Sequence, residues 1–200
     1  ETGMLYVAGG TYDKYPIEEG VAYAAPAAGY KIEQNTDGTY GVVVDPAYGK
    51  VAKIGDAYYE TLTKAITAAQ PNDVITFLND INESVTVNKN VTIDGAGKKY
   101  TGTMTANSGL TVTVQNVNFV NGGFAKTTKS TTGNYTFKNC TFVDNGNYDY
   151  PLSFKGANNI NVEGCTVNGY EFGFLYVSSG TNAVSVKNVT VENCPDYAVY

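Results

Sequence analysis

Between residues 85 and 191, apolar side chains alternate with Thr, Ser and Asn, break at a polar pair, and alternate again. Five segments superimpose. They are Val85-Thr86-Val87 with Asn90-Val91-Thr92-Ile93; Val112-Thr113-Val114-Gln115-Asn116-Val117-Asn118-Phe119; Tyr135-Thr136-Phe137-Lys138-Asn139-Cys140-Thr141-Phe142; Ile160-Asn161-Val162-Glu163-Gly164-Cys165-Thr166-Val167; and Val184-Ser185-Val186-Lys187-Asn188-Val189-Thr190-Val191. The column Val91, Val117, Cys140, Cys165, Val189 advances by 26, 23, 25 and 24 residues. Alternation of period two means strand with one buried face. Asn or Gly at the second place of the break suits a left-handed bend.

Two strands joined by such a bend would also describe a hairpin, but the bend lacks the Asn-Gly or Asp-Gly pair that hairpins prefer. A third strand accompanies each unit, at Val74–Phe77, 100–104, around Phe124, Leu152–Phe154, 172–177 and 197–200. Three short strands per period make one coil of a parallel β-helix, and stacked coils rise by about 4.8 Å each. Five to six coils are expected over residues 51–200. The inward columns then read Val112/Tyr135/Ile160/Val184, Val114/Phe137/Val162/Val186 and Phe119/Phe142/Val167/Val191. The bend residues Asn90, Asn116, Asn139 and Asn188, with Gly164 as the exception, resemble the asparagine ladder of right-handed, pectate-lyase-like β-helices. That resemblance spans residues 60–200. It implies an all-β fold, a right-handed single-stranded parallel β-helix, with stacked amides hydrogen-bonded from coil to coil.

One period before the repeat the pattern changes. Leu62, Ala65, Ile66 and Ala69 fall at i, i+3, i+4 and i+7, the apolar stripe of a helix. Thr61 suits the N-cap, and Pro71-Asn72 ends the segment. An α-helix here would cap the open end of the coil stack, which otherwise presents unpaired edges and core. Residues 4–58 do not carry the repeat; 31–34 and 39–44 flanking Asn35-Thr36-Asp37-Gly38 read as a β-hairpin, and 51–54 with Ala57–Tyr59 as a second. The recurring Gly-Thr-Tyr and Asp-Gly-Thr-Tyr elements before residue 51 resemble a junction between modules in large repetitive surface proteins of gut Gram-positive bacteria. On that resemblance residues 1–50 are the tail of a preceding module, and residues 51–200 are the next module, truncated at its C-terminus. Glu1-Thr2-Gly3 resembles the scar of a cleaved secretion leader and is set aside.

Composition narrows the chemistry. The chain has 200 residues, a net charge of −6 and 13 cations, all Lys; His and Arg are both absent. An acidic balance argues against a nucleic-acid partner. No apolar run is long enough to insert in a membrane. Without His or Arg there is no Ser-His-Asp or Cys-His site, no His-containing zinc site and no guanidinium clamp. The catalytic sets of the resembled families, an Arg base in pectate lyases, Asp with His and Arg-Lys in polygalacturonases, two Asp with Arg in pectin methylesterases, cannot be carried over. No cofactor is implied.

Four features remain as candidates. Cys140 and Cys165 share an inward column and read as stacked free thiols, while Cys194 lies outside it. The pairs Asp149-Tyr150, Glu171-Phe172 and Asp196-Tyr197 align as a column of acid then aromatic, and make Asp149, Glu171 and Asp196 the sharpest catalytic candidates. Carboxylates one or two coils apart would match glycosidase spacings. Columns of one residue type arise freely from any repeat, however, so the reading taken is that these acids solvate a turn. The run Asp144-Asn145-Gly146-Asn147-Tyr148-Asp149 holds too few carboxylates for calcium and reads as a turn, so no metal site is assigned. Tyrosine is in excess, 17 against 8 Phe. Tyr150 and Tyr176 are in phase with Leu152 and Phe154 and belong to the core, which leaves Tyr148, Tyr170 and Tyr200 as surface binding residues.

These features point to a non-catalytic, secreted or bacterial cell-wall repeat module, an adhesin or stalk that meets a host protein or glycan through a lateral face. Neighbouring modules of the same chain would be its other partners. The alternative is a polysaccharide-binding or polysaccharide-cleaving β-helix with its acids on the third-strand face.

Overall fold

The computed structural model describes residues 4–17, 24–126, 131–178 and 180–199. The chain divides into two compact units, Glu1–Lys50 and Val51–Tyr200. In the first, Tyr30–Gln34 and Tyr40–Val44 form an antiparallel hairpin to which Thr11–Tyr12 adds a third strand, and Leu5–Val7 pairs in parallel with Ala24–Pro26. The hairpin turn closes where Asp37 Oδ1 accepts from Thr39 N at 3.0 Å and Gly38 takes a positive φ.

The second unit is a parallel β-solenoid. Among the described residues its first wall has eight strands. Six of them, Val74–Phe77, Val91–Asp94, Thr111–Gln115, Asn134–Lys138, Ala157–Glu163 and Thr181–Lys187, are successive parallel neighbours. The other two, Ala52–Ile54 and Ala57–Tyr59, form an antiparallel hairpin laid on the first coil, so the stack is deeper than the five to six coils expected from the repeat. The second wall carries the remaining strands of each coil. In two coils these fuse into single long strands, Lys99–Ala106 and Asn118–Lys126. Later coils split them, as Thr141–Val143 with Leu152–Phe154, Thr166–Asn168 with Gly173–Val177, and Thr190–Glu192 with Tyr197–Val199.

Like residues lie over like. Ile75, Ile93, Val114, Phe137, Val162 and Val186 are in register, as are Tyr100, Phe119, Phe142, Val167 and Val191. Phe119 and Phe142 stack with ring centroids 4.8 Å apart. Burying each Val, Ile or Phe in such a column contributes about 1.5–3 kcal/mol. The columns are dry up to the coil of Thr181–Lys187, where Val184 and Val186 are 42% and 40% exposed.

The first repeat unit is registered differently from the expectation. Val91 pairs with Val112, not Val117, and Val85–Val87 pairs with 104–106 as a third strand, while Val74–Phe77 belongs to the first wall. Asn90-Val91-Thr92 imitates the bend grammar, but the chain turns instead at Gly95-Ala96-Gly97, where Ala96 and Gly97 have φ of 48° and 75°. The two-residue bend itself is left-handed at Asn116, Asn139, Gly164 and Asn188, with φ of 53°, 51°, 65° and 52°. Asn116, Asn139 and Gly164 each donate their backbone N–H to the next coil at 3.0 Å. Asn116 Nδ2 also donates to Asp94 Oδ1, so Asp94 stands at the foot of this row and Asn90 is outside it. Burial opposes the charge on Asp94, but hydrogen bonds from Gln115, Ala96 N–H and Asn116 outweigh it and hold its carboxyl below the usual range.

Asn90 instead begins a second amide row at the start of the first-wall strands. Its Oδ1 accepts from Thr111 N, and Asn134 Nδ2 reaches Thr111 Oγ1. Asn158 and Asn159 both donate to Asn134 Oδ1, and Asn182 donates to Asn158 Oδ1. Each amide there satisfies the polar groups of the coil beside it.

The helix, Leu62–Ala68, buries Leu62, Ala65 and Ile66. Thr61 caps it by accepting from Lys64 N at 3.1 Å. Seven residues make a marginal helix alone, and both of its ends are held from the coil stack. At the N-terminus Glu83 accepts from Leu62 N and Thr63 N at 2.9 and 3.3 Å, and at the C-terminus Lys89 Nζ donates to Thr67 O and Ala69 O, each at 2.6 Å. The acid sits at the positive end of the helix dipole and the lysine at the negative end. Glu83→Ala and Lys89→Ala should each lower unfolding free energy in urea by about 1 kcal/mol. Val162→Asp, which places a charge in a dry column, should cost about 3–5 kcal/mol and lower the melting temperature on the order of 10 °C, whereas the exposed Glu163→Ala should shift stability by no more than about 0.5 kcal/mol.

Candidate functional site

Regular coils leave little room for a site, and among the described residues one departure from regularity is in the coil of Thr141–Val143. Eight residues, 144–151, separate its second and third strands, against four in each of the next two coils. Asp144 organises this loop. It is buried, and its Oδ2 accepts from Asn147 N at 2.6 Å and Tyr148 N at 2.9 Å. Gly146, at φ 76°, donates to Gly169 O and ties the loop to the coil beyond. At the other end Pro151 O accepts from Phe124 N at 2.8 Å. That approach requires glycine at 123, because a Cβ there would lie 2.2 Å from Pro151 O.

The loop borders, on the outer face of the second wall, an open cleft of about 650 Å³. Its floor follows the register Ala125, Ser153, Tyr176, two small side chains and then a large one. Thr103 extends the floor on the far side, and Asn147, Tyr148, Asp149 and Tyr150 supply the loop side. The rings of Tyr150 and Tyr176 lie 5.5 Å apart at 43°, and Tyr150 also meets Phe172 at 6.0 Å. Both tyrosines are half-buried and Tyr148 is 38% exposed. The cleft therefore offers aromatic faces beside hydroxyl, amide and carboxylate groups. Among the described residues no group of three or more His, Cys, Asp or Glu side chains is placed to hold a metal ion.

Of the acids expected to form one column, Asp149 lines the cleft, while Glu171 and Asp196 do not. Phe172 N donates to Asp149 O and Asp196 N to Phe172 O, whereas Glu171 N donates to Tyr148 O. These bonds lay the loop of one coil over that of the next, and the rings of Tyr150 and Phe172 meet beside them. All three acids are exposed.

The tyrosines change places. Tyr170, expected on the surface, is 1% exposed, and its Oη donates to Gly122 O at 2.6 Å. Burial, with Asp144 nearby, pushes its phenol well above the ordinary value. Gly169, at φ 82°, turns the chain just before it, so phase counted along the strand does not continue through. Tyr176, expected in the core, pairs with Ser153 and faces outward, because Leu152 pairs with Leu175 and Phe154 with Val177. Aligning Leu152-Ser153-Phe154 with Leu175-Tyr176-Val177 would have found it. Tyr150 precedes Pro151 in the loop, where strand phase does not apply. Tyr200 lies outside the described residues.

Cys140 and Cys165 are neighbours in one column, free and buried, and Cys194 is half-buried. Hydrogen bonding to Cys165 and burial push the Cys140 thiol far up, away from nucleophilic use. Asn116, Asn139 and Asn188 stand at bends and take no part in the cleft. Tyr170→Phe, which strands a buried carbonyl, should cost about 1–3 kcal/mol in chemical denaturation, while Tyr148→Ala should change stability by no more than about 0.5 kcal/mol.

No protein-family model, curated protein or solved structure matches the chain. The parallel solenoid and its cleft therefore stand on this chain's own residues.

Proposed function

We propose that the chain is a non-catalytic module of a secreted or cell-surface bacterial protein, an adhesin or stalk whose lateral wall binds a host protein or glycan. The observation that carries this reading is the cleft: half-buried tyrosines mounted on a rigid repeating wall, with, among the described residues, a single carboxylate in its lining. Aromatic side chains with polar tips give broad contact at low entropic cost, which suits recognition. Chemistry of the resembled pectate-lyase-like enzymes would need Arg or His, and the chain has neither. Likeness of the N-terminal segment to repetitive surface proteins of gut Gram-positive bacteria supplies the setting, in which neighbouring modules of the same chain would be further partners. Among the described residues no helix is long and apolar enough to cross a membrane.

The test uses the whole chain immobilised and exposed to serum, epithelial extracts and a glycan panel, beside a copy with its outward wall residues scrambled. Retention of a protein or glycan by the native surface alone is expected, with no turnover of pectic or mucin polysaccharides whether or not calcium is present. Retention no better than the scrambled copy would dismiss the reading. So would turnover that Asp149→Asn abolishes.

A further inference from the structure

We infer that the cleft beside residues 144–151 takes a non-acidic sugar, neutral or amino, presented as part of a glycan chain. This deepens the binding-module reading and rests on it.

Shape comes first. A recess of about 650 Å³ is within the range of small-ligand sites, about 300–1,000 Å³, and is bounded on two sides by wall and loop. A protein partner would instead need on the order of 800 Å² of contact from each side, which a recess lined by eleven residues does not offer by itself. One or a few sugar rings fit the space, and the rest of the chain would lie along the exposed wall.

Surface chemistry agrees with a sugar. Tyr150 and Tyr176 meet at 5.5 Å and 43°, so the rings are tilted and not stacked flat. Both rings line the recess, and the negative quadrupole of a π-face attracts the polarised C–H face of a pyranose. Beside the rings the lining holds Asn147, Ser153 and Thr103, which donate and accept, and Asp149, which accepts only. A sugar hydroxyl also does both, so each ring edge finds a counterpart.

Charge decides the class. Among the described residues Asp149 is the charged side chain in the cleft lining and no lysine lines it, and the chain as a whole carries −6. A uronate or sialic acid would bring a carboxylate beside Asp149 with no cation to meet it. A neutral ring avoids that repulsion, and an amino sugar turns it into attraction. Size is set by two small residues. Ala125 and Ser153 hold the floor open between Thr103 and Tyr176, and Gly123 lets Pro151 close the upper end.

The experiment titrates the full chain by calorimetry with cellohexaose, mannohexaose, lacto-N-tetraose and chitosan hexamer, and with hexagalacturonate as the acidic counterpart. At least one neutral or amino probe should bind, and hexagalacturonate should bind at least tenfold more weakly than that probe. Tyr150→Ala and Tyr176→Ala should each weaken binding at least tenfold, with folding checked by thermal melting. Ser153→Phe fills the floor without removing a tyrosine and should do the same. Asp149→Lys should raise hexagalacturonate affinity above that of the native chain. The inference is overturned if none of the neutral or amino probes binds, if hexagalacturonate binds the native chain as well as they do, or if Ser153→Phe leaves affinity unchanged. Capture of a host protein without sugar binding would overturn this inference while leaving the binding-module reading intact. Absence of any partner would overturn both.

Discussion

Parallel hydrogen bonding between coils is the constraint from which the rest of the unit follows. It sets the rise at about 4.8 Å and places each residue over its equivalents in the coils above and below. A column is then a single packing problem solved several times. Ile75, Ile93, Val114, Phe137, Val162 and Val186 share one solution, and a polar residue anywhere in the run would touch two coils at once. Bends repeat for the same reason, since Asn or Gly at the left-handed position lets one coil's N–H reach the next coil's carbonyl. The first coil has no neighbour of its own kind to cover it. Glu83 and Lys89 therefore reach out to both ends of a seven-residue helix that would be marginal by itself.

So regular a stack confines individuality to its loops. Within the wall a change in one coil disturbs its neighbours; in a loop it does not. The loop 144–151 is four residues longer than its counterparts, and the added length, held by Asp144, borders the cleft. Glycines at 122 and 123 make the surrounding backbone contacts close: a Cβ at 122 would sit 2.0 Å from Gly102 O. Tyr170 then locks the same place from within by donating to Gly122 O. Core anchor and surface cleft are thus two sides of one feature.

Strand interiors were legible in the sequence because alternation and column are the same physical statement. The three columns beginning at Val112, Val114 and Phe119, and the helix stripe Leu62, Ala65, Ile66 and Ala69, lie where periodicity puts them. Legibility failed wherever the period was interrupted. Asn90-Val91-Thr92 has the bend's composition without its role, because the turn had moved to Gly95-Ala96-Gly97. Tyr170 and Tyr176 exchanged their expected places because phase cannot be counted through a turn of unequal length. Tyr148 and Tyr150 belong to a loop shaped by one buried carboxylate, where strand phase does not apply. The amide row of Asn90, Asn134, Asn158, Asn159 and Asn182 went unrecognised for a related reason. Its members are offset along the repeat and meet only once the coils are stacked.

The most direct test of the parallel stack is a nuclear Overhauser spectrum of the side chains along one column, assigned by selective labelling of Val114, Phe137, Val162 and Val186. The account predicts cross-peaks from Val114 to Phe137, from Phe137 to Val162 and from Val162 to Val186, with Phe119 to Phe142 and Cys140 to Cys165 alongside. Cross-peaks pairing Val114 with residues of its own coil's next strand in antiparallel order, with Phe137 and Val162 unconnected, would contradict it.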